Sequence, residues 1–106
     1  MELEVYWLDL AEVKLEDIYS YYSLKASKKV AQKLVNGIID ATIGIEKFPE
    51  KGQVEFNLND RKQEFRYLVF KYYKIVYWIN YDAKRIEIAN VFDTRQDPEK
   101  INKTKT

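Results

Sequence analysis

The stretch Glu64–Pro98 reads EFRYLVFKYYKIVYWINYDAKRIEIANVFDTRQDP and decides the fold. Three runs of β-branched and aromatic residues follow one another with short breaks, and such residues pack well on a pleated surface. Turns are expected at Tyr81-Asp82-Ala83-Lys84 and near Lys71-Tyr72. The stretch therefore predicts an antiparallel meander. In its middle run, Tyr73, Ile75, Tyr77 and Ile79 form one row, and Lys74, Val76, Trp78 and Asn80 form the other. The first row is the more uniformly apolar and is assigned to the core. The second mixes a cation, an amide and an indole, and is read as an open face on which Trp78 anchors a partner, or as a face on which a tail segment covers Trp78.

Outward from the meander, the N-terminal segment supplies a cover for one face. Leu3 to Leu8 alternates as a first strand. Asp9 is placed as a helix N-cap, with Glu12 completing a capping box and Leu8 and Val13 a hydrophobic staple. A first helix is predicted over Leu10 to Lys25, with Leu15, Ile18, Tyr19 and Tyr22 as its apolar stripe. After a break within Ser23 to Ser27, a second helix is predicted from Lys28 to Lys47, ending at Phe48-Pro49. Its stripe is Ala31, Leu34, Val35, Ile38, Ala41, Ile45 and Phe48. Gly37 and Gly44 would share one face, by tolerance or by a close helix–helix approach. Lys25, Lys28, Lys29 and Lys33 read as a solvated face or as a docking surface for an acidic partner. The polar stretch Glu50 to Lys62 has room for an edge strand along Val54, Phe56 and Leu58.

The expected fold class is α+β: an N-terminal strand and an antiparallel two-helix hairpin packed on one face of a small antiparallel sheet. At 106 residues the chain is expected to form one domain over residues 1–101, with 102–106 as a polar tail. Eighteen basic and 17 acidic residues leave a net charge of +1, a poor signature for a dedicated nucleic-acid binder. Cysteine and histidine are both missing, so thiolate chemistry is excluded, together with the commonest general base and zinc ligand. That usage fits a cytoplasmic protein. No run of a membrane span's length and no positive signal-peptide region is apparent. Glycine occurs at positions 37, 44 and 52 alone, which excludes a Gly-rich phosphate loop. No metal site, cofactor or catalytic constellation is assigned. Arg66, Lys74 and Arg95 remain as cations near the meander. By alternation, Arg66 and Lys74 share the open face with Trp78, where they would hold phosphate or carboxylate groups or act as plain solvated charge.

Four motifs then stand in order: Asp17-Ile18-Tyr19-x-Tyr21; Phe48-Pro49-Glu50-Lys51-Gly52; Phe65-Arg66-x-Leu68 with Tyr73-Lys74-Ile75-Val76-Tyr77; and Val91 to Pro98 with Arg95. Together they resemble the RelE/ParE superfamily of small bacterial toxins from type II toxin–antitoxin, or plasmid stabilisation, systems. The resemblance runs from the first strand to about Lys100. It implies two N-terminal helices on a small antiparallel sheet, and a cognate antitoxin that folds on binding. The ParE-like branch implies growth arrest by inhibition of DNA gyrase, with no catalytic site. The RelE-like branch implies ribosome-dependent cleavage of mRNA, for which Arg66, Lys74 and Arg95 are the candidates. Lys74 stands where the family has arginine, keeping the charge but losing the planar fork. Residues 99–106 contain no tyrosine, and the Phe48-Pro49-x-x-Gly52 and Arg95-x-x-Pro98 patterns resemble the ParE-like branch, which favours it. A third reading is an inactive antitoxin-binding module. Arg66, Lys74, Val76, Trp78, Asn80 and Arg95 are the expected surface for target or antitoxin.

Overall fold

The structure, a computed structural model, describes residues 3–104. Its elements run β1 (Glu4–Trp7), α1 (Asp9–Lys25), α2 (Lys28–Asp40), β2 (Gln53–Val54), β3 (Arg66–Phe70), β4 (Tyr73–Asn80) and β5 (Arg85–Asp93). Single 3-10 turns follow β2 at Phe56–Leu58 and β5 at Pro98–Lys103. The sheet order is β1-β5-β4-β3-β2. The meander is antiparallel, as its short turns require. Lys71 and Lys84 take the left-handed conformation in those two turns. β1 joins β5 in parallel, with Val5 opposite Ile86 and Trp7 opposite Ile88, a pairing that the long connection between them permits.

Two core layers flank the sheet. Under the helices, Ala11, Ile38 and Ile45 pack on Tyr73, Ile75, Tyr77, Ile86, Ile88 and Val91. Leu15, Ile18 and Leu34 add to it from the predicted helical stripes. The Tyr73/Ile75/Tyr77 row is thus the helix-facing one, as its uniform apolarity demands.

Several local expectations are corrected. The opposite face is not open. Val76 is fully buried in a second layer with Leu58, Phe65, Ala89, Phe92 and Ile101, because the two 3-10 turns fold across it. The register of β4 on β5 slips between Val76 and Tyr77. A bulge of this kind adds one residue to β5 and re-aims its side chains. Beside it, Asn90 donates its amide hydrogen to Thr104 Oγ1 at 2.9 Å. Thr104 lies within the segment expected as a polar tail, yet it is buried, and Arg61 forks onto the carbonyls of Asn102 and Thr104.

The first helix starts one residue early, with Leu8 at the cap position and no side-chain cap. Leu8 is drawn into the second layer, so Asp9 is already helical and Val13 is left exposed. Capping box and staple are absent. Asp9 and Glu12 still place negative charge at the positive end of the helix dipole. Ser27 does cap α2, accepting a bond from the Val30 N–H at 3.1 Å.

α2 stops at Asp40 rather than Lys47. Thr42 turns its hydroxyl onto the Ile39 carbonyl, and Gly44 adopts φ +85°, which the helix cannot continue. Gly44 therefore shares no helix face with Gly37, and Phe48 lies exposed rather than on a stripe. Gly37 does mark a close approach, but to Phe70 of β3 and not to α1. The expected edge strand is reduced to Gln53–Val54, and Phe56 to Leu58 coil into a turn that buries Leu58.

Candidate functional site

The six residues singled out by sequence lie in distinct settings. Cross-strand pairing places Arg66 opposite Tyr77, in the row of the helix-facing face, and places Tyr67 opposite Val76. Arg66 and Lys74 thus belong to opposite rows. The alternation within β3 starts one residue away from the register that would have joined them.

Arg66 works at the edge of the sheet. Its guanidinium donates to the carbonyls of Glu50 and Gly52, at 3.2 and 2.9 Å, and to the Glu64 carboxylate at 2.8 Å. It fastens the loop that enters β2. The same loop is held from inside by Tyr77, whose hydroxyl donates to the Pro49 carbonyl at 2.7 Å and accepts from the Gly52 N–H at 2.9 Å. Burial pushes the Tyr77 hydroxyl pKa up, so it stays protonated and can keep donating. The Phe48 to Gly52 motif thereby has a structural role. A Cβ on Gly52 would lie 2.5 Å from the Tyr77 oxygen and 2.8 Å from the Tyr67 carbonyl.

Lys74 pairs with Glu55 at 2.6 Å, and the carboxylate is 3% exposed. Its ammonium also sits 4.2 Å from the centre of the Tyr67 ring. A second Glu55 oxygen accepts from the Asn57 N–H at 3.2 Å, tying the first 3-10 turn to β4. Trp78 is half-buried at the border of the second layer, and its indole N–H is buried without a partner among the described residues. Asn80 bonds to Glu87 of β5 and to the N–H of Ala83, so it shapes the β4–β5 turn.

Arg95 belongs to a cluster that lines a cleft between α1 and the end of β5. Asp93 accepts from its Nε at 3.0 Å and its Nη2 at 2.7 Å, while the guanidinium lies 4.0 Å from the Tyr72 ring centre. The Tyr22 hydroxyl of α1 is 3.4 Å from Nη2. The guanidinium holds the Asp93 carboxyl below its ordinary pKa and lowers that of the Tyr22 hydroxyl. Next to it, burial raises the Tyr73 hydroxyl pKa. Lys14, half-buried on the same wall, is pushed down by desolvation. Sequence reasoning named Arg95 but missed Lys14, Tyr22 and Asp93. The helical spacing put Tyr22 on the core stripe, and nothing local ties α1 to the end of β5.

Helices on one side of a five-stranded sheet, 3-10 turns on the other and cations parcelled out to separate anchors define a small α+β protein. The family model described as ParE toxin of type II toxin-antitoxin system, parDE, matches residues 5–98. This chain belongs to that family. Among solved structures, a chain from the "Chromosomal ParDE TA system from P. aeruginosa" superposes with a TM-score of 0.72 at 17% identity, covering 87% of this chain and 96% of that one. At that identity the likeness is one of fold. No curated protein matches. Among the described residues no helix is long and apolar enough to cross a membrane, and no group of three or more potential ligands is placed to hold a metal ion.

Proposed function

We propose that this chain is the toxin of a type II toxin–antitoxin pair, that it arrests growth in the cytoplasm by inhibiting DNA gyrase, and that a cognate antitoxin neutralises it. The observation that carries this reading is the family match over residues 5–98. The placement of the cations supports the ParE-like branch over the RelE-like one. A nuclease needs its cations around one scissile phosphate, poised to stabilise the charge that develops there. Here Arg66, Lys74 and Arg95 do not share one site: Arg66 is held by the carbonyls of the β2 loop, Lys74 by buried Glu55, and Arg95 by Asp93 at the end of β5. Antitoxin and target would meet the exposed parts of the expected surface, at Trp78, Asn80 and Arg95, and the lysine-bearing start of α2. Val76 lies beneath the C-terminal turn and contributes by packing.

The test is supercoiling of relaxed plasmid by purified gyrase with increasing toxin. Inhibition that is reversed by the antitoxin encoded beside the toxin is the expected result. Full supercoiling at large toxin excess, with position-specific mRNA cuts in translating ribosomes, would replace this reading with the RelE-like one. No effect in either assay would favour an inactive antitoxin-binding module.

A further inference from the structure

A cleft of about 470 Å³ opens between α1 and the end of β5, walled by Lys14, Asp17 and Tyr22 on the helix and by Tyr73, Asp93 and Arg95 on the sheet side. Its charge is unevenly committed. Both Asp93 oxygens are engaged with Arg95, through the backbone N–H at 2.9 Å and through Nε and Nη2. Asp93 is thus a positioning group that, with the Tyr72 ring behind it, fixes the guanidinium plane. Arg95 Nη1 makes no hydrogen bond among the described residues and remains a donor.

Lys14 is the second donor. It is half-buried and in no ion pair among the described residues. Its ammonium has given up part of its hydration, and Asp17 and Asp93 attract it without reaching ion-pair contact, while Lys103 of the C-terminal turn adds positive potential. An anion entering the cleft would give it a direct partner. Asp17 is exposed, so its charge is screened by solvent. The Tyr22 hydroxyl accepts from Arg95 Nη2 at 3.4 Å and keeps its own hydrogen to donate.

We propose that this cleft binds a phosphate group, held by Lys14 Nζ, the Tyr22 hydroxyl and Arg95 Nη1. A fixed guanidinium beside a lysine suits a multi-oxygen anion, because each cation can take a different oxygen. Tyr21, 55% exposed at the rim, offers a ring on which a base attached to that phosphate would stack. The phosphate therefore belongs to a nucleotide or to a nucleic-acid backbone. This inference is independent of the gyrase reading, and its test uses the purified full-length chain alone.

Calorimetric titration at low salt with inorganic phosphate, a nucleoside monophosphate and a short single-stranded oligonucleotide decides it. Saturable binding of at least one probe is expected. Lys14→Met, which keeps the apolar stem, and Arg95→Gln should each weaken it about tenfold, the effect of losing one charge-assisted hydrogen bond. Lys62→Gln, at an exposed loop position outside the cleft, should leave it unchanged, and thermal melts check that each variant is folded. The mononucleotide binding as tightly as the oligonucleotide would identify a free nucleotide as the ligand. Tighter oligonucleotide binding with a steep salt dependence would identify a nucleic-acid backbone. No saturable binding of any probe, or equal weakening by Lys62→Gln, would overturn the proposal.

Discussion

At the residue scale, two side chains carry more than their positions in the sequence suggest. Tyr77 lies in an apolar row, yet its hydroxyl closes the loop at Pro49 and Gly52. Tyr77→Phe should cost about 1–3 kcal/mol, because it strands a buried donor and acceptor. Gly52→Ala should cost about as much through overpacking, since the new methyl meets the backbone carbonyl of Tyr67 as well as the Tyr77 oxygen. Urea unfolding of both variants and their double mutant checks this. The double mutant should lose less than the sum, because the two changes disrupt one arrangement. Asp93 gives the matching prediction in pH. Its folded pKa lies below the ordinary 3.8, so its stabilising contribution is full above that value and is lost as pH falls through the folded pKa. Asp93→Asn should therefore be less stable than the parent at neutral pH. The gap should close as the solution is taken well below the ordinary value. A gap that stays constant with pH would show that the ion pair contributes nothing to folding. The motif Phe48 to Gly52 was legible as a motif; its reason, a tyrosine twenty-five positions downstream, was not.

At the element scale, what sequence made legible was whatever local pattern determines. Three runs rich in β-branched and aromatic residues gave the meander, and alternation in β4 assigned the helix-facing row correctly. What failed was decided by partners far away in the chain. α2 ends at Asp40 although its apolar spacing continues, because Thr42 and Gly44 favour a tight turn over another helical one. Arg66 fell into the wrong row because a one-residue difference in register reverses every side chain in a strand. Lys74 looked like an open-face cation, but Glu55, from a segment read as polar loop, folds over it. That pair now makes a prediction about how the first 3-10 turn is held to the sheet. Lys74→Met should destabilise the protein by about 3 kcal/mol, since it leaves a nearly buried carboxylate without its cation. Lys74→Met with Glu55→Leu should recover most of that loss, since it removes both charges together. Equal stability of the single variant and the parent would show that the pair does not hold the turn to the sheet.

At the scale of the whole molecule, the sheet divides the chain into two layers that depend on different parts of the sequence. The helix side is built from the N-terminal half, and its apolar stripes announced it. The opposite side is closed by Phe56–Leu58 and Pro98–Lys103, pieces too short to carry a periodic signal, and so it read as an open face. Three contacts hold the last piece down: Ile101 in the apolar layer, Thr104 on Asn90, and Arg61 on the carbonyls of Asn102 and Thr104. They make the C-terminal turn part of the core, and Val76, Ala89 and Phe92 need it for burial. Ile101→Ala should cost about 2–5 kcal/mol, the range for a fully buried isoleucine. Ending the chain before Pro98 should do more, exposing a contiguous apolar strip of β4 and β5. The shortened protein should bind a hydrophobic dye and associate at concentrations where the parent is monodisperse, or fail to fold. If it instead stayed folded, monodisperse and free of dye, the turn would be dispensable to the core. The face above Val76 would then be available to a partner.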